Sequence, residues 1–407
     1  MYQILAAQGS LILGISLVQL VNGYMGTLVG IRISSAGTDT LTTGIVTSAF
    51  FFGYAIGSVL CKYAIQRSGH IRAFASFAAL VAIAILGLSL YFDPATWTFF
   101  RLLTGFGCAG LFVTTESWLS VKSNSVTRGK VFSIYMVATY LTFAGSQFIL
   151  LLGAPDAALL FELGAIILCL AVILVATTRS EQPLIAPVVR LEYGELFRAA
   201  PVAVAGCLVA GLNSGAFYAL MPVFAEANGL STLKISSYIA LAIFGGMLLQ
   251  VPAGKVSDAF DRRLVAGLCA LCFASLAVAI LWTRQTIAFE PLWLLLGGFM
   301  SVIYPICVAH ANDRLPAERA IAVSGRLILI SGVGSALGPL LGSAVMSSFG
   351  VAGLFYFMAM AAGLFSLFAL TRGVLVKPPF LKRDRPFLVL PAIFAQNLAH
   401  APRDETL

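Results

Sequence analysis

The chain has 407 residues, 59% of them hydrophobic and only 10% charged, with a formal net charge of +8. Soluble domains carry about 25% charged residues, so this composition excludes a soluble enzyme, and with it a disordered chain, a collagen or a disulfide scaffold. A mean hydropathy of +0.96 points to a chain whose solvent is lipid.

Twelve apolar segments, each bounded by charge, Pro or Gly, follow in chain order: 6–30, 41–61, 73–92, 97–120, 131–153, 158–178, 201–225, 235–254, 264–283, 289–311, 321–346 and 350–373. Their lengths suit bilayer-crossing helices, because a lone strand or loop leaves its backbone unsatisfied in lipid. The opening stretch MYQILAAQGSLILGISLVQL has no Lys or Arg ahead of its apolar run, so it reads as the start of a retained span and not as a cleaved signal. An even number of spans puts both termini on one side.

Charge gives the side. Lys62, Arg67, Arg72, Lys122, Arg128, Lys130, Arg179, Arg190, Arg198, Lys255, Arg262, Arg263, Arg314 and Arg319 fall in one set of loops, and Arg32, Lys234 and Arg284 in the other, fourteen against three. The basic side is therefore expected to be cytoplasmic, with both termini there, in a multi-pass protein of a bacterial inner membrane. That placement explains the positive charge without a nucleic-acid partner. The seven cysteines lie inside or at the edge of apolar runs. Cys269 and Cys272 have C-x-x-C spacing but no His or second pair nearby, so they read as small buried side chains, with no metal and no cofactor implied.

Residues 179–200 mix Pro183 and Pro187 with balanced charge and read as a linker between an N-terminal half, 1–178, and a C-terminal half, 201–373. Residues 374–407 form a basic tail whose stretch PFLVLPAIFAQNL is too short to span but suits a membrane surface. The halves look duplicated. Lys62 and Gln66 precede Gly254 and Asp258 by 192, while Gly105-Phe106 precedes Gly298-Phe299, and Gly145 precedes Gly338, by 193. The segments correspond in parallel order, as in transporters whose halves share an axis along the membrane normal.

Three motifs then carry a resemblance to the major facilitator superfamily over all twelve segments. Gly254-Lys-Val-Ser-Asp258-Ala-Phe-Asp261-Arg262-Arg263 resembles the family signature G-x-x-x-D-R-x-G-R-R. In the first half the same register holds Lys62, Gln66, Arg67 and Gly69, without the signature glycine and acid. Arg101-x-x-x-Gly105 is similar to the family's second motif. Gly334-x-x-x-Gly338-Pro339-x-x-Gly342 looks like the antiporter motif, although it stands in the eleventh segment and not the fifth. The whole most resembles a bacterial branch of inner-membrane permeases with no settled substrate. The resemblance implies an all-α membrane fold of two pseudo-symmetric six-helix halves, with the first, fourth, seventh and tenth segments lining a central cavity. It also implies that Asp258 clasps the two halves shut on the cytoplasmic side, an acid there being able to accept bonds from a helix N-terminus. Gln66, Arg67, Gly254, Arg262 and Arg263 join Asp258 as gating residues. Arg326 is expected to anchor to Gln66 across the halves. Gly334, Gly338 and Gly342 lie four apart on one helix face, a close-packing seam that Pro339 can bend.

Polar groups within spans are functional candidates by default. In the fourth segment Arg101, Gly105, Cys108, Phe112, Thr115 and Glu116 share a stripe at helical spacing. Arg101 and Glu116 are fifteen residues apart, about 22 Å along an axis rising 1.5 Å per residue, too far to pair. Gln19 and Asn22 share a face of the first segment; Asn213, Phe217 and Tyr218 stand in the seventh and Tyr304 in the tenth. These residues, with Arg101, Phe112 and Thr115, are the expected substrate contacts, and Glu116 the expected proton carrier. No Gly-x-x-x-x-Gly-Lys-Ser/Thr loop is present, so ATP is not the direct energy source. The reading is a secondary active transporter for a small organic solute, working as a monomer in the bilayer, coupled to protons and favouring export of a metabolite or drug. Proton-coupled uptake of a sugar, amino acid or organic acid is the alternative, and a non-transporting receptor or scaffold the reading from another class. None of the three histidines stands beside a buried acid, so no enzyme is expected.

Overall fold

The computed structural model describes residues 2–122, 128–177, 193–282, 289–316 and 319–375. These contain helices and no strand. The first half holds α1 (Tyr2–Ser35), α2 (Thr40–Ser68), α3 (His70–Leu90), α4 (Pro94–Lys122), α5 (Arg128–Ser146) and α6 (Leu159–Ala176). A short α7 (Tyr193–Ala199) precedes the second half, which holds α8 (Pro201–Ala227), α9 (Thr232–Ala259), α10 (Arg262–Trp282), α11 (Phe289–Arg314), α12 (Ala320–Phe349) and α13 (Gly353–Leu375). Twelve described helices are long and apolar enough to span a membrane. Most of the linker, and the tail beyond Leu375, lie outside the described residues.

The helices overrun several apolar segments. α2 continues past Lys62 to Ser68 and α9 past Gly254 to Ala259, because a helix satisfies its own backbone wherever the lipid ends. The fifth segment behaves differently. Its α-helix stops at Ser146 and six residues, Gln147–Leu152, continue as a 3-10 helix. At that change of pitch the Gln147 side chain turns to α1, donating from Nε2 to Gly23 O at 3.1 Å and accepting from Thr27 Oγ1 at 2.7 Å. Helix starts are capped locally. Asp39 accepts from Thr42 N at 3.0 Å, Asp93 from Thr96 N at 2.8 Å and Ser231 from Lys234 N at 3.4 Å. The bonds from Thr42 and Thr96 hold the two cap carboxyls below the usual carboxylate range.

The two halves pack alike. In the first, α2 lies on α4, α3 on α4 and α6, and α1 on α5 and α6; in the second, α9 lies on α11, α10 on α11 and α13, and α8 on α12 and α13. Glycines permit the closest of these approaches. A Cβ at Gly53 would stand 2.0 Å from Leu102 O, and one at Gly245 1.8 Å from Leu294 O. A Cβ at Gly105 would stand 1.8 Å from Phe50 O, and one at Gly297 2.1 Å from Ala242 O. Every member of these contacts has its counterpart 192 residues on.

Contact geometry thus corrects the sequence register by one residue: Gly105 corresponds to Gly297, not Gly298. Likewise Ser146, not Gly145, corresponds to Gly338. A Cβ on Gly145 would meet nothing within 4 Å, whereas Ser146 stands against Gly23 of α1. Matching letters alone cannot say which of two neighbouring positions makes the equivalent contact.

The halves meet through α1 and α8, α2 and α12, and α5 and α9. Gly30 and Pro222, themselves 192 apart, touch each other: a Cβ on Gly30 would lie 3.0 Å from Pro222 Cβ. Contact between equivalent residues places this crossing on the pseudo-twofold axis. It lies towards the ends of α1 and α8 remote from the charge-rich loops. Gly44 of α2 meets Ser343 and Pro339 O of α12 at the same end. The halves are therefore joined tightly away from the basic face.

Candidate functional site

The stripe on α4 forms as expected, but its members do different things. Glu116 is 2% exposed and accepts a hydrogen bond from Tyr135 Oη of α5 at 3.1 Å. Tyr304 belongs to the other half. Phe112 occupies the position equivalent to Tyr304 and packs its ring 6.4 Å from Tyr54. Glu116 thus sits beside a phenol that can donate to a carboxylate and accept from a carboxylic acid.

Arg101 is buried, and no acid among the described residues pairs with it. Its guanidinium lies over the Phe50 ring, 4.6 Å from the centroid, and its Nε has no hydrogen-bond partner. A cation–π contact of this kind offsets part of the cost of burying the charge. Cys108, one stripe position further, contacts Asn22 Oδ1 through Sγ at 3.9 Å.

Three other expected contacts are fully buried polar groups with no partner: both amide atoms of Gln19, both of Asn213, and Tyr304 Oη. Such groups are rare in folded proteins and costly when left dry, so they mark where a polar ligand or water belongs. Two expected contacts have partners within the protein. Thr115 Oγ1 donates to Leu111 O at 2.8 Å, which turns its hydroxyl proton onto its own helix. Phe217 lies in an aromatic cluster of the second half, 6.3 Å from the Trp293 ring, and is core. Its neighbour Tyr218 does reach across, packing 5.5 Å from Phe143 of α5.

A cleft opens between α2 and α12. Its walls include Asn22 and Ser214, again 192 apart, with Phe50, Tyr54, Ser58, Ser331, Gly332 and Ser335. The seam between α5 and α9 is closed by Gln250 Nε2 donating to Tyr140 Oη at 2.6 Å. Sequence reasoning overlooked Tyr54, Tyr135, Tyr140, Gln147 and Gln250. Gln147 and Gln250 carried the signal already used for Gln19, an amide within an apolar segment. The tyrosines carried none, because phenols are ordinary residues of apolar helices.

The signature residues form a lattice within the second half. Arg262 Nη2 pairs with Asp258 Oδ1 at 2.7 Å, its Nε with Asp313 Oδ2 at 2.7 Å, and its Nη1 donates to Ser257 Oγ at 2.9 Å. Arg263 pairs with Asp261 at 2.7 Å and donates to Arg372 O of α13 at 2.9 Å. Burial raises the Asp261 carboxyl, but bonds from the Arg263 side chain and backbone outweigh it and hold the group below the usual range. These bonds tie α9, α10, α11 and α13 together, and the ion pair with Arg262 links Asp258 to its own half. Gln66 and Arg67 are exposed and make no side-chain hydrogen bond among the described residues, so the bond expected between Gln66 and Arg326 is not formed. Gly254 is buried at the root of the lattice. Gly334 and Gly338 press α12 onto α8, where added Cβ atoms would stand 2.3 Å from Leu208 O and 2.2 Å from Leu212 O; Gly342 meets Leu220.

Two related six-helix bundles with buried, unpartnered polar groups between them have the build of a membrane carrier that exposes one site alternately to either side. The family model described as Major Facilitator Superfamily matches residues 11–249 and 204–400, and the chain belongs to that family. It is 28% identical over 365 residues to the uncharacterized MFS-type transporter YcaD of Salmonella enteritidis PT4, covering 88% of this chain and 94% of that one. Among solved structures it shares its fold with a bacterial homolog of the human lysosomal transporter Spinster, at a TM-score of 0.73, 15% identity and coverage of 92% and 97%. It is also similar in fold to the nucleoside transporter NupG, at 0.70, 13%, 92% and 100%, and to a D-xylose-proton symporter, at 0.67, 17%, 89% and 97%. The protein is thus a secondary transporter of this superfamily.

Proposed function

We propose that the protein moves a small organic solute across a bacterial inner membrane by alternating access, coupled to protons through Glu116. The basic face is cytoplasmic on this reading, supported by the fourteen-to-three distribution of Lys and Arg between the loops. Gln19, Asn22, Asn213 and Tyr304 contact the solute, and Arg101 with its unpartnered Nε completes the polar lining.

The observation that carries the proposal is the position of Glu116. It is a carboxyl buried in a membrane-spanning helix and bonded to Tyr135 of the neighbouring α5. Rocking of the halves changes what faces it, and a group whose surroundings differ between two states binds a proton with different affinity in each. Binding a proton then shifts the balance between the states by that same difference, because linkage is reciprocal.

The test needs no known solute. Spin labels on the basic-face ends of α2 and α9 report the separation of the halves in the reconstituted protein. The wild type should change its distance distribution between acid and neutral pH, and Glu116→Gln should give one distribution at both. A pH response kept intact in the Gln variant removes Glu116 as the coupling group. A thermal-shift screen against sugars, nucleosides, organic acids and amphiphiles then identifies the solute.

A further inference from the structure

The seam between α5 and α9 and the seam between α2 and α12 are related by the internal duplication, yet only one is closed. The closing pair is Tyr140 and Gln250. Their equivalents at the 192-residue offset are Gly332 and Ser58, and both line the cleft. A Cβ on Gly332 would meet nothing within 4 Å. The cleft is therefore the space that the Tyr–Gln pair fills on the opposite side of the molecule.

The cleft runs from the pseudo-axis, at Asn22 and Ser214, outwards between the two helices. The same turns of α2 and α12 carry the large apolar side chains Phe52, Ile56, Val59 and Val333, all more than 40% exposed. In a bilayer those side chains face acyl chains, so the outer rim of the cleft stands at the lipid face of the bundle. The walls combine aromatic and aliphatic side chains with four serines and Asn22. At the inner end Ser331 is 3% exposed and makes no hydrogen bond among the described residues. Neither Ser335 Oγ nor Asn22 Nδ2 makes one either. No charged side chain lines the cleft.

We infer that this cleft is a lateral binding site for an uncharged amphipathic molecule drawn from the bilayer, its apolar body against Phe50, Phe51 and Tyr54 and its hydroxyl or amide head on Asn22, Ser331 and Ser335. No charged residue is among those lining the cleft, although Arg101 meets the ring of the lining Phe50, so the lining favours a neutral head: an ionised one would lose its hydration with no counter-charge in the walls. The inference deepens the transport proposal by naming a substrate class. It rests on reading the space between the halves as the solute path, but not on the role of Glu116.

A diazirine-bearing monoacylglycerol tests it in liposomes holding the full-length protein. After photolysis, peptides covering 51–58 and 328–335 should be labelled well above lipid-facing stretches of α3 and α6. An unlabelled monoacylglycerol should compete, and a fatty acid or an alkylamine of the same chain length should not. Ser58→Gln with Gly332→Tyr restores the pair that closes the other seam and should lower cleft labelling at least about tenfold, the effect of some 1.4 kcal/mol on binding. Ser331→Ala with Ser335→Ala, which changes no packing volume appreciably, should weaken labelling by itself and serves if the first variant fails to fold. Uniform labelling over the lipid face, or cleft labelling unchanged in the variants, overturns the site. Preferential labelling of the cleft by a water-soluble diazirine overturns the lateral route. All these results read binding alone, so they stand apart from the fate of the proton-coupling proposal.

Discussion

The basic-face corner of the second half and its counterpart in the first were built from one plan and now differ in kind. In the second half Arg262 joins Asp258, Asp313 and Ser257, and Arg263 joins Asp261 to the end of α13. At the equivalent places the first half has His70 for Arg262, Gln66 for Asp258, Ile65 for Ser257 and Gly69 for Asp261. Its local contact is neutral, His70 Nε2 with Ser117 Oγ at 2.9 Å. The glycine contacts between α2 and α4, by contrast, recur unchanged between α9 and α11. A backbone approach that leaves no room for a Cβ has no chemical substitute. A charge lattice does, because ion pairs can be replaced by neutral contacts at small net cost.

The comparison is broken most severely at the glycines. Gly53→Leu and Gly245→Leu should each abolish a monodisperse folded peak in size-exclusion chromatography, because the side chain would enter the backbone of the neighbouring helix. If one were tolerated and the other not, the two halves would not share the contact. Next comes the lattice. Arg262→Met leaves two part-buried carboxylates without their cation, and should cost about 3 kcal/mol, the low end for a broken buried pair because both acids keep some exposure. His70→Phe at the equivalent place should cost only about 1 kcal/mol, the worth of one neutral hydrogen bond. Thermal unfolding in detergent compares the two; equal losses would deny that the halves hold their corners differently. The smallest effect is that of pH on the corners. Asp261 is held below the usual carboxylate range, so its contribution is complete above about pH 5 and declines as the pH falls through its folded value. Asp261→Asn should flatten the acid limb of stability against pH.

Much of the candidate site was legible because burying a polar group in an apolar segment is costly enough to be informative. Glu116, Gln19 and Asn213 were found that way, and all three are buried between helices. Phe217 and Thr115 were read as contacts because helical spacing gives a face relative to a helix's own axis. It does not say which neighbour that face meets, and for Phe217 the neighbour is the Trp293 cluster. Asp258 likewise has a partner that the motif alone does not name. An acid at a helix end can satisfy itself on the next turn, and Arg262 is four residues away.

What the sequence by itself determined is the class of protein: twelve spans, two duplicated halves and the side on which positive charge collects. Hydrophobic length and charge asymmetry are properties of the chain against lipid and water, and need no knowledge of neighbours. Only the tertiary structure decided that Glu116 meets Tyr135 of α5, that Gly297 and not Gly298 is the equivalent of Gly105, and that Tyr140 and Gln250 close one seam where Gly332 and Ser58 leave the other open. Each of these depends on separate helices approaching within a few ångström. Such an approach is set by how whole helices tilt and rotate against one another, and the rotation of a packed helix is not written in its own periodicity.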